Sequence, residues 1–172
     1  MVIGLALLAA VMAPVYAVPV GAASGPSISA SLEGRPIPAV EVGRYACHDF
    51  DFPRIHCYRT RAELERAVAD RLAAQSASGL DGPVGATATG YVKVYPDRGL
   101  QGLPAVLSVR YDDLSVIGWN DRISSFEGLA GVGGTFYQHI YLTGAAYPFS
   151  AYQIVTYVGD AYNDTFSSVR PK

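Results

Sequence analysis

Charge is what this sequence has least of. Asp, Glu, Lys and Arg make up 16% of its 172 residues, against about a quarter in ordinary soluble domains. The 13 Lys and Arg never gather into a basic block, and with 15 Asp and Glu the formal net charge is -2. A surface that tracks a phosphate backbone needs such a block, so a nucleic-acid partner is disfavoured. Catalytic signatures are missing too: there is no G-x-S-x-G, no H-E-x-x-H, no P-loop and no glycine-rich dinucleotide fingerprint. The expectation is a non-enzymatic protein, since an enzyme would need a site assembled from scattered residues.

The first 32 residues carry no charge at all, and Glu33 is the first charged side chain. Val2 to Ala13 is an apolar run too short to span a bilayer and about as long as the core of a secretory leader. Small-residue cleavage sites follow at Val15-Tyr16-Ala17 and Gly21-Ala22-Ala23, so residues 1–23 read as a signal peptide. Export is expected, with no membrane association after cleavage; Pro14 and Pro19 interrupt the run and weigh against an uncleaved anchor. Residues 24–39, rich in Ser, Pro and Gly, read as a flexible linker.

Gly and Pro, 18 and 11 residues, together with 12 Tyr, favour strands and turns over long helices. Residues 40–76 hold the only two cysteines, Cys47 and Cys57, around HDFDFPRIH. In an exported protein that proximity suggests a disulfide closing a small loop. Zinc held by Cys47, His48, His56 and Cys57 is the rival, but adjacent Cys-His pairs lack the spacing of structural zinc sites. Thr60 and Glu63 then form a capping-box pattern, and Leu64, Ala67, Val68 and Leu72 share one helical face. Glu63, Glu65, Arg66 and Asp70 read as solvated side chains of that helix, and residues 77–86 as a second linker.

From residue 87 to 172 short alternating runs such as YVKVY and AVLSVR point to an all-β region. It contains an internal repeat. Tyr95-Pro-Asp-Arg-Gly-Leu-Gln-Gly102 aligns with Tyr137-Gln-His-Ile-Tyr-Leu-Thr-Gly144, and Trp119-Asn-Asp-Arg-Ile-Ser-Ser-Phe126 aligns with Tyr162-Asn-Asp-Thr-Phe-Ser-Ser-Val169. Asp and Ser oxygens in a turn, with carbonyls freed by the turn, form a hard-donor set suited to Ca²⁺, whereas thiolate and imidazole are missing from the pattern. Turn chemistry alone would also select these residue types.

Paired Tyr-x-x-x-x-apolar-x-Gly and Asn-Asp-x-x-Ser-Ser segments resemble the βγ-crystallin family, over about Ala88 to Arg170. The resemblance implies a mainly β fold, with two Greek keys forming one sandwich and exchanging strands, preceded here by a small helix-containing segment. It also implies up to two bound Ca²⁺ ions, each clamped by both repeats. The side-chain ligands would be Asp121 and Ser124, and Asp164 and Ser167. Carbonyl ligands would come from Arg122 and Thr165, and from Pro96 and Gln138. Arg122 places a cation near the first loop, so the site there is expected to be the weaker one.

The expected function is a secreted, calcium-stabilised, durable module. The alternative on the same fold is a secreted metalloproteinase inhibitor or a killer-toxin-like protein, acting on an extracellular protease or another target; a cell-envelope adhesion module is a third class. Tyr91, Tyr95, Tyr111, Phe126, Phe136, Tyr137 and Phe149 read as core and corner packing and not as a recognition surface.

Overall fold

A computed structural model of the chain describes residues 27–77, 91–129, 131 and 133–172. The leader expected over residues 1–23, and the expected second linker from residue 78 onward, lie outside the described residues.

Strand β1 (Ser29–Leu32) turns through Glu33 and Gly34 into β2 (Arg35–Ile37). Both turn residues have positive φ, 51° and 82°, the two-residue geometry whose twist suits a hairpin. A 3-10 turn (Ala39–Arg44) leads to β3 (Ala46–Asp51), which pairs antiparallel with β4 (Arg54–Tyr58). β4 in turn lies parallel to β1. Cys47 stands directly opposite Cys57 and the two are joined in a disulfide.

Two expectations are thereby corrected. Residues 29–37 are a paired hairpin and not part of a flexible linker, and residues 40–76 carry two strands of a sheet as well as a helix. Ala30 and Leu32 are the buried members of β1, alternating with Ser29 and Ser31. Small side chains make that alternation faint, and the partner strand β4 lies over twenty residues away.

Helix α1 (Arg61–Ala77) starts on the expected capping box. The Thr60 amide donates to Glu63 Oε2 at 3.0 Å and the Glu63 amide to Thr60 Oγ1 at 3.2 Å, so each side chain satisfies an N–H that the helix leaves unpaired. Leu64 is fully buried against Ala46, Tyr91 and Val106. Glu65 is not simply solvated, for its Oε1 receives Lys93 Nζ at 3.0 Å and Arg61 Nε at 2.7 Å. No helix among the described residues is long and apolar enough to cross a membrane.

The first repeat supplies β5 (Tyr91–Tyr95), β6 (Ala105–Leu107) and β7 (Ser125–Leu129); the second supplies β8 (Gly134–His139), β9 (Thr143–Phe149), β10 (Ile154–Val155) and β11 (Ser168–Pro171). Strand exchange between the repeats is present. β10 pairs with β7, and Tyr111 of the first repeat bridges to Val169 of the second. Two sheets result, β10-β7-β5-β6-β3-β4-β1-β2 and β11-β8-β9. Between them Val92, Val94, Phe126, Phe136 and Phe166 are sealed from solvent, each such side chain contributing roughly 1.5 to 3 kcal/mol of burial. The fold is mainly β, and Tyr91, Tyr95, Tyr111, Phe126, Phe136 and Phe149 are buried in it.

The N-terminal strands extend the first Greek-key sheet instead of standing apart. β3 runs parallel to β6, with Cys47 opposite Ala105 and His48 opposite Val106, and the Cys47 amide donates to the Pro104 carbonyl at 3.1 Å. Asp49, 1% exposed, locks this joint by accepting the Ser108 amide at 2.7 Å and the Tyr111 hydroxyl at 2.9 Å. Burial pushes its carboxyl up to about 6, against the pull of those hydrogen bonds.

Candidate metal centre

Hydroxyl and carbonyl oxygens converge where the two Asn-Asp-x-x-Ser-Ser loops meet their hairpins. In both loops the Asp adopts the left-handed conformation, Asp121 and Asp164 each at φ 53°, a region in which Asp is tolerated better than most residues. The turn lets each loop reach across to the other repeat. The Asp121 amide donates to the Phe166 carbonyl at 3.0 Å, and the Asp164 amide to the Ile123 carbonyl at 3.3 Å. The preceding Asn orients each carboxylate: Asn120 Nδ2 donates to Asp121 Oδ2 at 2.7 Å, and Asn163 Nδ2 to Asp164 Oδ2 at 2.6 Å.

The first oxygen set is Pro96 O, Ser124 Oγ and Asp164 Oδ1. Ser124 Oγ lies 2.7 Å from the Pro96 carbonyl oxygen and 3.4 Å from Asp164 Oδ1. Two of these donors belong to the first repeat and one to the second. The second set repeats the pattern, with Ser167 Oγ 2.9 Å from the Gln138 carbonyl oxygen and Asp121 anchored beside it through Phe166. Both serines are nearly buried while both aspartates are exposed.

Arg122 and Thr165, expected to ligate through their carbonyls, have side chains that take structural roles. Thr165 Oγ1 donates to the Tyr162 carbonyl at 2.9 Å and accepts from Gln138 Nε2 at 3.1 Å. Arg122 donates from Nη1 to the Gly118 carbonyl at 3.2 Å, and its guanidinium lies 5.6 Å from the Trp119 ring centre. The structure thus gathers three donors in the set built on Ser124 and two, with Asp121 adjacent, in the set built on Ser167.

The second serine of each motif was not among the expected site residues, yet it braces the hairpin. Ser125 Oγ donates to Asp97 O at 2.6 Å and accepts the Leu100 amide at 3.1 Å; Ser168 Oγ donates to His139 O at 2.6 Å and accepts the Leu142 amide at 3.1 Å. The doubled serine in the sequence was the available signal.

The donor chemistry fits calcium. With Ca–O contacts of ~2.4 Å and ~6 to 8 oxygens around the ion, neighbouring ligands stand ~2.8 to 3.4 Å apart, close to the separations found here. Were an ion held there, a single carboxylate per set would give it only the modest affinity of ~10⁻⁴ to 10⁻³ M that few-carboxylate sites show. Among the described residues no group of three or more His, Cys, Asp or Glu gathers in a form that could hold a metal. The zinc alternative is removed by the disulfide, which consumes both thiols. His48 and His56 face each other with ring centres 5.3 Å apart, and burial depresses His48 to about 4.

No family profile and no curated protein matches the chain. Among solved structures it is similar to a βγ-crystallin domain from Clostridium beijerinckii, with 24% identity and a TM-score of 0.42 over 47% of this chain and 95% of that one. A βγ-crystallin domain from Flavobacterium johnsoniae shows 26% identity and a TM-score of 0.42 over 47% and 92%. A βγ-crystallin from Ciona intestinalis shows 23% identity and a TM-score of 0.43 over 48% and 100%. The likeness takes in about half of this chain and nearly all of each of those domains.

Proposed function

We propose that this chain is a secreted, non-enzymatic calcium-binding protein whose ions stabilise its two-Greek-key sandwich. The observation that carries the reading is the meeting of Pro96 O, Ser124 Oγ and Asp164 Oδ1 from three segments of two repeats, mirrored at Gln138 and Ser167. Each ion held this way ties one repeat to the other. Pro96 or Gln138 would offer a carbonyl, Ser124 or Ser167 a hydroxyl, and Asp164 or Asp121 the neutralising carboxylate. The carbonyls of Arg122 and Thr165 complete the ligand set, and the disulfide of Cys47 and Cys57 suits an oxidising exterior.

Binding to the folded state alone adds ~2.7 kcal/mol at a hundredfold excess of ligand over Kd. Thermal melts of the full chain in calcium and in chelator test this. A Tm that climbs with millimolar calcium and not with equal magnesium supports the reading, since magnesium demands a smaller and more regular oxygen shell. A Tm indifferent to both ions refutes it.

A further inference from the structure

The N-terminal unit touches two of the three segments that supply the first oxygen set, the loop of Ser124 and the hairpin of Pro96. One contact is at Gly118, which precedes the Trp119-Asn120-Asp121 loop at φ 67° and where a Cβ would lie 2.2 Å from the Val40 carbonyl oxygen. Gly43 is as tight, a Cβ there falling 2.2 Å from the Gly118 oxygen and 2.5 Å from Arg122 Nη1. In the repeat alignment the second loop has Ala161 at the position of Gly118, so the close approach is a feature of the first loop's sequence.

The other contact runs through Arg61, the first residue of α1. Its Nη1 donates to the Leu100 carbonyl at 2.8 Å and its Nη2 to the Tyr95 hydroxyl at 3.2 Å. Leu100, at φ 61°, donates its amide to Ser125 Oγ, whose own hydroxyl donates to Asp97 O. Both ends of that chain adjoin a donor of the first set: Ser125 follows Ser124, and Asp97 follows Pro96.

We infer that Arg61 is a positioning residue for the first oxygen set: by fixing the hairpin it holds the Pro96 carbonyl against Ser124 Oγ, and so raises calcium affinity there. The inference rests on the calcium reading above. Its physical basis is preorganisation, because a carbonyl already in place loses less freedom when an ion arrives. The charge of Arg61 works in the opposite direction. A cation removed from the neighbourhood would by Coulomb's law strengthen calcium binding, so a weakening on removal has a positional cause.

The test is calorimetric calcium titration of the full chain, with Tb³⁺ luminescence as a second readout, for wild type, Arg61→Ala, Asp164→Ala and the double variant. In Arg61→Ala the binding that Asp164→Ala abolishes should weaken about tenfold, the factor that corresponds to ~1.4 kcal/mol. The binding that survives Asp164→Ala should be unchanged by adding Arg61→Ala, which a general loss of structure would not allow. Unchanged or tighter binding in Arg61→Ala overturns the inference and leaves the calcium reading standing. Absence of binding by the wild type overturns both. Should Arg61→Ala lose its near-UV circular dichroism, Arg61→Gln, which removes the charge but keeps a neutral donor, replaces it with the same sign of effect required.

Discussion

Replacing Asp49 by Asn should stabilise the protein at neutral pH and leave it little changed in acid. Asp49 is 1% exposed and its carboxyl is lifted from the ordinary 3.8 to about 6, first by burial, with hydrogen bonds from Ser108 and Tyr111 opposing. A carboxyl whose folded pKa is raised holds its proton better when folded, so its contribution is fully present below about pH 4 and is lost as pH rises through about 6. At ~1.4 kcal/mol per pKa unit, that loss is roughly 3 kcal/mol. Asn keeps an acceptor for the Ser108 amide and offers its Nδ2 to the Tyr111 oxygen, without a charge to desolvate.

Urea melts of wild type and Asp49→Asn between pH 4 and 8 measure the difference. The gap should widen in favour of Asn by roughly 3 kcal/mol from pH 4 to 7 and then stay flat. Taking the difference cancels other titrating groups common to both proteins. Parallel curves across that range would show that the charge on Asp49 is not strained by burial, and would refute the reasoning.

His48 acts in the opposite sense. Burial and the neighbouring His56 depress it to about 4, so its contribution is present above about pH 6.5 and is lost as pH falls through 4; His48→Phe should remove roughly 3 kcal/mol of that acid-side decline in the same melts. Gly118→Ala, strained at φ 67° and meeting the Val40 carbonyl, should cost roughly 2 to 3 kcal/mol, read as a lowered urea midpoint. Reduction of the Cys47–Cys57 bridge, which spans ten positions, should cost roughly 2 to 3 kcal/mol from the chain entropy of so short a loop, seen as a lower melting temperature in reductant.

Local patterns in this sequence translate well into structure, and non-local ones do not. Thr60 and Glu63 specify the start of α1 because the capping box is complete within four residues. The 42- to 43-residue repeat brings Asp121 and Asp164 to the same φ, because identical turn residues impose identical turns. By contrast, the parallel pairing of β3 with β6 joins residues nearly sixty positions apart, and nothing near Cys47 announces its partner. The β1–β2 hairpin was within reach: Glu33-Gly34 between alternating Ala30, Leu32 and Ile37 is a turn signal obscured by the intervening serines. Glu65 reads as a solvated acid in the sequence, and nothing near Asp49 marks it as buried. Their burial and ion pairing follow from the docking of the N-terminal unit on the sandwich, which only the fold displays.

The most direct measurement of the central claim is a calorimetric calcium titration of the full chain beside Asp164→Ala and Asp121→Ala. Saturable binding with a Kd on the order of 10⁻⁴ to 10⁻³ M is expected. Asp164→Ala should remove the binding that depends on Pro96 and Ser124, and Asp121→Ala that which depends on Gln138 and Ser167. No saturable binding by the wild type, or binding that neither substitution alters, would contradict the account and leave the two Asn-Asp-x-x-Ser-Ser loops as turns that join the repeats through hydrogen bonds alone.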